Sequence, residues 1–323
     1  MSSVQSEVIK TGVQLLDVSE HCDGQRVDNF LLARLKGLPK SHLYRLIRKG
    51  EVRVNKKRCK PDSRLATGDL VRVAPLRLSE QGPAVKPGDS LVRLLDNSVL
   101  FEDEHLLAIN KPAGLAVHAG SGLRIGLIEA LRAMAGEGDF RELVHRLDKD
   151  TSGCMLVAKS GKALKTLQAD LKHKTMEKTY QALVHGVWPG DLHEVKVSLL
   201  KNQPHAGDRI VTVQAEGKEA LTRFRVLQIF AEASLLEAMP VTGRTHQIRV
   251  HCQYAGHPII GDSKYTFNRR HDFAAVRHLN LHAAQLRFRH PVSGQMMTVA
   301  APLRDEMKSL IDRLSEQNAG NRR

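Results

Sequence analysis

Cysteine is scarce in this chain. Its 323 residues include four, Cys22, Cys59, Cys154 and Cys252, and none of them forms a Cys-x-x-Cys pair. Such spacing argues against a zinc ribbon or a disulfide scaffold and fits a reducing compartment. Aromatic residues are also few, with one Trp, four Tyr and eight Phe. Broad single-strand binding by base stacking therefore lacks the side chains it needs. No run of about 18 or more apolar residues occurs, so no membrane-spanning helix is expected. Met1 to Gln14 lack the basic start and apolar middle of a secretory leader. Among the charges, acid is in deficit: 35 Asp and Glu face 49 Lys and Arg, a net charge of +14. With 41% hydrophobic residues the chain can bury a core, and its charge favours a polyanionic partner. A cytoplasmic protein that faces nucleic acid is the expectation.

The charge is uneven. Residues 24–75 hold fourteen Lys and Arg against four Asp and Glu, so ten of the fourteen net charges lie there. In that stretch Val27, Phe30, Leu31 and Leu35 recur at helical spacing, and Gly37 and Pro39 end the run. Ser41 is predicted to cap a second helix with Leu43, Leu46 and Ile47 on its apolar side and Gly50 as its stop. Lys40, Arg45, Arg48 and Lys49 fall on the opposite face as a cationic stripe. A merely solvated face is the plain reading, but the concentration of charge favours phosphate contact, which orients a strand without reading its sequence. Val52 and Val54 then alternate into a short strand. A basic turn follows, with Lys56 and Lys57, and Gly68-Asp69 introduces Leu70, Val71 and Val73. Two helices followed by Val-x-Val-Asn resemble the S4-type RNA-binding module, with Lys56 standing where that module often has Gly.

Pro75 to Asp96 reads as a linker broken by Gly82-Pro83 and Pro87-Gly88. The expected division is a flexible segment 1–20, a small basic domain 21–75, a linker 76–96, a large domain 97–317 and a flexible tail 318–323. In the large domain, strand-like runs are Val99–Phe101, Leu106–Asn110, Met155–Ala158, Tyr180–His185, Leu221–Phe230 and Ser234–Met239. Helix-like runs are Ile125–Met134, Lys162–Lys172, His246–Ala255 and Arg304–Leu314. Without a strict βαβα rhythm, these predict a mixed or antiparallel α+β sheet. Gly120-x-Gly122 and Gly136-x-Gly138 read as loops, since the rest of a nucleotide fingerprint is missing.

Two polar clusters can carry chemistry. The first is His145-Arg146-Leu147-Asp148-Lys149-Asp150-Thr151-Ser152-Gly153, between apolar Leu143 and Val144 and a strand. Asp148 has cations on both sides, which favour its ionised form, and a fixed carboxylate can act as nucleophile or general base. A surface turn is the plain alternative. The second cluster runs from Thr242 through Gly243, Arg244, Thr245, His246 and Gln247 to Arg249 and His251. With Thr245 as cap and Gly256 as stop, a helix over Gln247–Ala255 is predicted. Arg249 within it can hold a buried carboxylate in a fork, or simply belong to a basic face. His246 and His251 are five apart with no acidic third ligand following, so no metal site is expected.

Together the clusters resemble the RluA-type RNA pseudouridine synthases. Asn110-Lys111-Pro112, Lys178-Thr179-Tyr180, Gly256-His257-Pro258-Ile259 and Gly261-Asp262 match further blocks in order, and with the S4-like segment the likeness covers about residues 20–305. Gly120-Ser121-Gly122-Leu123 and Leu199-Leu200-Lys201-Asn202 bring the chain nearest to members with an N-terminal S4 domain that act on the ribosomal large subunit. Departures are Cys154, where Leu or Val is frequent, and Thr266, where Gly often follows the tyrosine. The resemblance implies an α+β chain, a small S4-like RNA-binding domain followed by a catalytic domain built on a large mixed, mostly antiparallel sheet. It implies isomerisation of specific uridines in 23S ribosomal RNA or its large-subunit precursor. Asp148 stands at the essential aspartate, Tyr180 at the active-site tyrosine, and Arg249 at the arginine that pairs with the aspartate. Arg146 stands at the arginine that fills the vacancy left by the flipped nucleotide. His145 and Arg244, with Lys40, Arg45, Arg48, Lys49, Lys56 and Lys57, are the expected further RNA contacts. No cofactor, metal or membrane is implied, and a monomer is expected. Two alternatives stay open: a non-catalytic RNA-binding assembly factor, and a related synthase acting on transfer RNA.

Overall fold

The computed structural model describes residues 8–10, 12–19, 22–35, 38–79, 86–119, 125–136, 139–202, 210–266, 273 and 275–320. They form two compact units, 1–86 with 160–162 and 87–159 with 163–323. In chain order the first unit holds β1 (Val8–Lys10), β2 (Gln14–Asp17), α1 (Val27–Arg34), α2 (Lys40–Lys49), β3 (Val52–Val54), β4 (Lys57–Arg58), β5 (Leu70–Val73) and β6 (Arg77–Ser79). Four strands make an antiparallel sheet in the order β2-β5-β3-β4, and β1 pairs with β6.

The apolar spacing read in the sequence builds this unit's core. Val27, Phe30 and Leu31 of α1 pack with Leu43, Leu46 and Ile47 of α2 and with Val52, Val71 and Val73 of the sheet. Emptying such a site, as in Leu43→Ala, costs about 2–5 kcal/mol. Gly50 ends α2 in the left-handed conformation, with φ +76°. The start of α2 differs from expectation, because Pro39, not Ser41, is the cap. Its ring presets φ at −59°, and its carbonyl accepts the Leu43 N–H at 3.0 Å. At the β3–β4 turn both Asn55 and Lys56 have positive φ, 48° and 67°. The Asn55 amide donates to Asp69 (2.8 Å) and accepts from the Leu70 N–H (2.9 Å), which holds the turn while Lys56 takes the place a glycine would fill with less strain. Asp28 is buried and accepts from Arg26 at 2.7 and 3.0 Å and from the Tyr44 hydroxyl at 2.7 Å. Arg26 first, then Tyr44, outweigh burial and hold its carboxyl down at about 2.

The second unit holds α3 (Asp89–Asp96), β7 (Val99–Glu102), β8 (Leu106–Lys111), α4 (Leu127–Met134), β9 (Glu142–Leu143), β10 (Ser152–Ala158), α5 (Gly161–His173) and β11 (Glu177–His185). It continues with β12 (Glu194–Asn202), β13 (Ile210–Val213), β14 (Lys218–Ile229), β15 (Ala233–Pro240), α6 (Gln247–Tyr254), β16 (Leu281–Arg289), β17 (Met296–Ala300) and α7 (Asp305–Gly320). Its sheet has eleven strands, in the order β13-β12-β14-β15-β11-β16-β10-β8-β7, with β17 on β16 and β9 on β10. Every pairing is antiparallel except β10 with β16. All seven residues of β10 are buried, because both faces of the strand are covered. Cys154, Leu156 and Ala158 meet Ala163 and Leu167 of α5, while Met155 and Val157 meet Leu127, Ile128 and Leu131 of α4. At the parallel crossing Gly153 has φ +112°, and a Cβ there would stand 2.3 Å from the Ala283 carbonyl oxygen. Only glycine lets these backbones meet.

The structure corrects several expectations of order. The segment expected to be flexible, 1–20, contains β1 and β2, which find partners in the sheets. The expected linker contains β6 and α3, where Leu95 is buried against α4's cluster. The final helix runs to Gly320, into the expected tail. Strands β12, β13, β16 and β17 were not among the expected runs. Gly82-Pro83, Gly120–Leu123, Gly138 and residues 321–323 lie outside the described residues. Among those described, no helix is long and apolar enough to cross a membrane.

Candidate active-site cleft

A cleft of about 1040 Å³ opens over the middle of the large sheet. Its walls are the loop 144–151 before β10, the strand β11, the end of β15 and the start of α6. Asp148 sits in that loop with 20% of its side chain exposed. The turn is closed by the Thr151 N–H on the Asp148 carbonyl, at 3.2 Å. The neighbouring Lys149 carbonyl accepts from the Gly114 N–H at 2.9 Å and from the buried Lys111 ammonium at 3.0 Å. Lys111 also donates to the carbonyls of Pro112 (2.8 Å) and Leu115 (2.9 Å), so all three of its protons are used. Burial pushes this ammonium down to about 7, against the opposing charges of Asp150 and Asp148. On the far side of the turn the Ser152 hydroxyl donates to His282 Nδ1 at 2.9 Å, and His282 Nε2 donates to the Ala301 carbonyl at 3.2 Å. Asp148 is thus presented by a loop tied down at both ends.

Arg249 reaches the same spot from α6 and is 4% exposed. It does hold a buried carboxylate in a fork, but that carboxylate is Asp262, through Nε and Nη2 at 2.7 Å each. The remaining nitrogen, Nη1, faces Asp148 Oδ2 at 3.6 Å. The pairing of Arg249 with Asp148 is therefore one arm of a three-residue arrangement whose anchor the sequence reading did not name. Asp262 Oδ1 also accepts the N–H groups of Lys264 (2.9 Å) and Tyr265 (3.1 Å), which fixes the anchor in turn. Burial would lower the proton affinity of Arg249, and the Asp262 hydrogen bond and the charges of Asp262 and Asp148 more than offset it. Gly261 must be glycine, since its φ is +79° and a Cβ would lie 1.9 Å from the His278 carbonyl oxygen.

His246 completes the surroundings of Asp148. It is the residue before α6, in left-handed conformation (φ 53°, ψ 19°), so it and not Thr245 occupies the cap position. The helix start is secured instead by Gln247, whose Oε1 accepts from the Thr242 hydroxyl (2.6 Å) and the Arg244 N–H (3.0 Å). Tyr265 accepts the Val211 N–H at 2.9 Å and donates its hydroxyl proton to His246 Nδ1 at 2.6 Å. That leaves the proton of a neutral His246 on Nε2, 3.8 Å from Asp148 Oδ2. Burial, more than the opposing charge of Asp148, lowers the proton affinity of this imidazole.

Tyr180 lines the cleft from β11 and packs against two apolar clusters. Burial, and then the charge of Asp148, push its phenol well above its ordinary range, so it stays neutral. His145 also lines the cleft, with Nε2 accepting the Leu156 N–H at 3.1 Å. Burial first, then Lys178, bring its imidazole down to about 4. Arg146 is exposed at the cleft, and exposed Arg244 donates from Nε to the Glu219 carbonyl at 3.1 Å. The other expected RNA contacts lie in the first unit. Arg45, Arg48, Lys49, Lys56 and Lys57 are exposed, and the Lys40 side chain lies outside the described residues. Asp262, His246, Tyr265 and Lys111 were missed as members of the site. Asp262 and Lys111 belong to the Gly261-Asp262 and Asn110-Lys111-Pro112 blocks, yet no spacing rule ties them to Asp148. Among the described residues no group of three His, Cys, Asp or Glu is placed to hold a metal ion.

Comparison with known proteins adds a consistent set of likenesses. Residues 105–254 match the family described as RNA pseudouridylate synthase, and residues 25–71 match the S4 domain. The chain is 48% identical over 320 residues to the ribosomal large subunit pseudouridine synthase C of Haemophilus influenzae, covering 98% of this chain and 99% of that one. To the protein of the same name from Pasteurella multocida it is 50% identical over 319 residues, with 98% of each chain covered. For that of Escherichia coli K12 the figures are 50% over 308 residues, 94% and 97%. Among solved structures, human RNA pseudouridylate synthase domain containing 4 superposes with a TM-score of 0.59 at 25% identity, covering 70% of this chain and 96% of the other.

Proposed function

The chain belongs to the RNA pseudouridylate synthase family and is an RNA pseudouridine synthase, and we propose that it acts on large-subunit ribosomal RNA with Asp148 as the catalytic carboxylate. The observation that carries this reading is the convergence of Asp148, Arg249 and Tyr180 on one cleft. A uridine in folded RNA must leave its stack before its glycosidic bond can be reached. Arg146, exposed beside Asp148, fills the vacancy and offsets part of that cost. In the cleft the C1′–N1 bond breaks with Asp148 as nucleophile or base, and the bonding electrons go to the uracil. The freed uracil turns, C5 bonds to C1′, C5 gives up its hydrogen and N1 gains one, so the atoms balance as in any isomerisation. Tyr180, held neutral, offers a flat face worth about 1–3 kcal/mol of stacking and a proton rather than a phenolate. Arg249 Nη1 and His246 Nε2 hold the carboxylate in place. Arg244 and His145 line the path of the RNA, while Lys40, Arg45, Arg48, Lys49, Lys56 and Lys57 hold its phosphates from the S4 unit. The same reading makes the protein a cytoplasmic monomer that works without metal or cofactor.

The test is tritium release from large-subunit ribosomal RNA labelled at carbon 5 of uridine, because that hydrogen leaves only when the new C–C bond forms. Wild type should release tritium, and Asp148→Asn should bind the RNA and release none. Release from transfer RNA alone would move the substrate class. Full release by Asp148→Asn would remove Asp148 from the mechanism.

A further inference from the structure

Lys178 is a cation of the cleft for which the described residues supply no partner. It lies on β11 two residues before Tyr180, where a bulge between Thr179 and Tyr180 interrupts the register with β16. Both side chains line the cleft that holds Asp148. Lys178 is half-buried, and among the described residues no hydrogen bond or ion pair engages its ammonium. The other buried or anchored cations nearby are all satisfied. Arg249 has Asp262 and Asp148, Arg244 has the Glu219 carbonyl, and Lys111 has three carbonyls. Burial alone lowers the proton affinity of Lys178, with no opposing carboxylate, and its charge in turn presses down on His145.

A lysine withdrawn from water without a counter-charge is a burden on the free protein, because desolvation is not repaid. Gly243 lines the same cleft, and a Cβ there would lie 3.9 Å from Nζ, so the backbone opposite the ammonium carries no side chain. A cation on the cleft wall is suited to an anion that enters the cleft. An RNA strand brings one at every nucleotide, and phosphate contacts position a strand rather than read it.

We propose that Lys178 binds a backbone phosphate beside the target uridine, so that an ammonium unpaired in the free protein becomes paired when RNA fills the cleft. This rests on the reading of RNA as substrate. It adds a positioning contact inside the cleft that holds the flipped nucleotide against Asp148 and Tyr180, distinct from the S4 unit's phosphate contacts. A lysine suits the task, since its compact ammonium needs no planar partner.

The full-length Lys178→Met and Lys178→Arg variants test the idea. Three quantities are compared with wild type: melting temperature without RNA, affinity for unmodified large-subunit RNA across a salt series, and tritium release. Losing one charge-assisted hydrogen bond should weaken binding by the Met variant by about 10- to 100-fold. Its slope of log affinity on log salt should fall by about 0.7 to 0.9, one phosphate's worth. Without RNA it should melt at or above the wild-type temperature, since an uncompensated charge has gone. The Arg variant should keep the slope. A Met variant with wild-type affinity and slope overturns the proposal. So does weakened binding that comes with a lowered melting temperature, which would make Lys178 part of the fold. If wild type releases no tritium, the substrate reading fails, while the salt slopes on a uridine-rich single strand still decide the role of Lys178.

Discussion

Replacing Asp262 by Asn removes one negative charge and almost no volume, so its consequences can be worked from the contacts. In the native protein the two carboxylate oxygens take Arg249 Nε and Nη2 at 2.7 Å each, and Oδ1 also takes the N–H groups of Lys264 and Tyr265. An amide oxygen at the Oδ1 place keeps three of these four bonds. The amide nitrogen then faces Arg249 Nε, donor against donor. The Asp262 side chain is fully buried and that of Arg249 is 4% exposed, so no water screens the loss. Opening a buried ion pair from one side costs about 3–5 kcal/mol. The guanidinium is left with Asp148, now 3.6 Å away, as its nearest acid, and it should move toward it. A shift of that size at a reacting group costs on the order of 10²-fold in rate. Urea unfolding of the full chain should therefore report a loss of several kcal/mol. Single-turnover tritium release should fall about 100-fold while RNA affinity stays near wild type. An Asn variant with native stability and native single-turnover rate would refute the reasoning, because Arg249 would then need no anchor.

Three further outcomes follow from the same geometry. His251 is fully buried on α6, neither ring nitrogen has a partner among the described residues, and burial pushes it down to about 4. The folded chain stays unprotonated there while the unfolded chain gains a proton below about 6.5. Stability is thus full above that pH and falls as pH drops toward 4, by about 3 kcal/mol for this group. His251→Leu should flatten urea midpoints measured between about pH 7 and about pH 5, and an unchanged slope would count against the assignment. Gly153→Ala forces a Cβ to 2.3 Å from the Ala283 carbonyl at φ +112°. It should cost about 3 kcal/mol in a thermal melt, and a native melting temperature would mean the strands can part. In the S4 unit, alanine at Arg45, Arg48 and Lys49 together should lower the salt slope of RNA binding by about 2 to 3 while leaving the rate at saturating RNA unchanged. A slope equal to wild type would make the stripe a solvated face.

Much of the local structure was legible in the residue pattern. Helical spacing from Val27 to Ile47 and alternation at Val52, Val54, Val71 and Val73 build the first unit's core, because period and burial are local properties of a strand or helix. The charge stripe of α2 and the clusters around Asp148 and Arg249 stand out for the same reason: each is a short run. What the pattern hid was pairing. Strand β16 reads as Leu-His-Ala-Ala-Gln-Leu-Arg-Phe-Arg, alternating only over its second half, yet it sits between β11 and β10. Its place comes from Gly153 and Ala283 meeting at the parallel crossing, 130 residues apart in sequence. Likewise β1 and β2 fall in a segment that looks like a frayed end, and only a partner strand far along the chain orders them.

The sequence by itself offered the candidates: a carboxylate, an arginine and a tyrosine, each in a short motif run, and a basic module that matches the S4 domain. The tertiary structure decided how the charges are shared. Arg249 gives its fork to Asp262 and one nitrogen to Asp148, and Tyr265 sets the proton of His246 toward the same carboxylate. Those partnerships depend on where a loop after α6 and the turn before β10 come to rest together. Hydrogen bonds and ion pairs act only over a few ångströms, and distances of that kind exist only once the chain has folded.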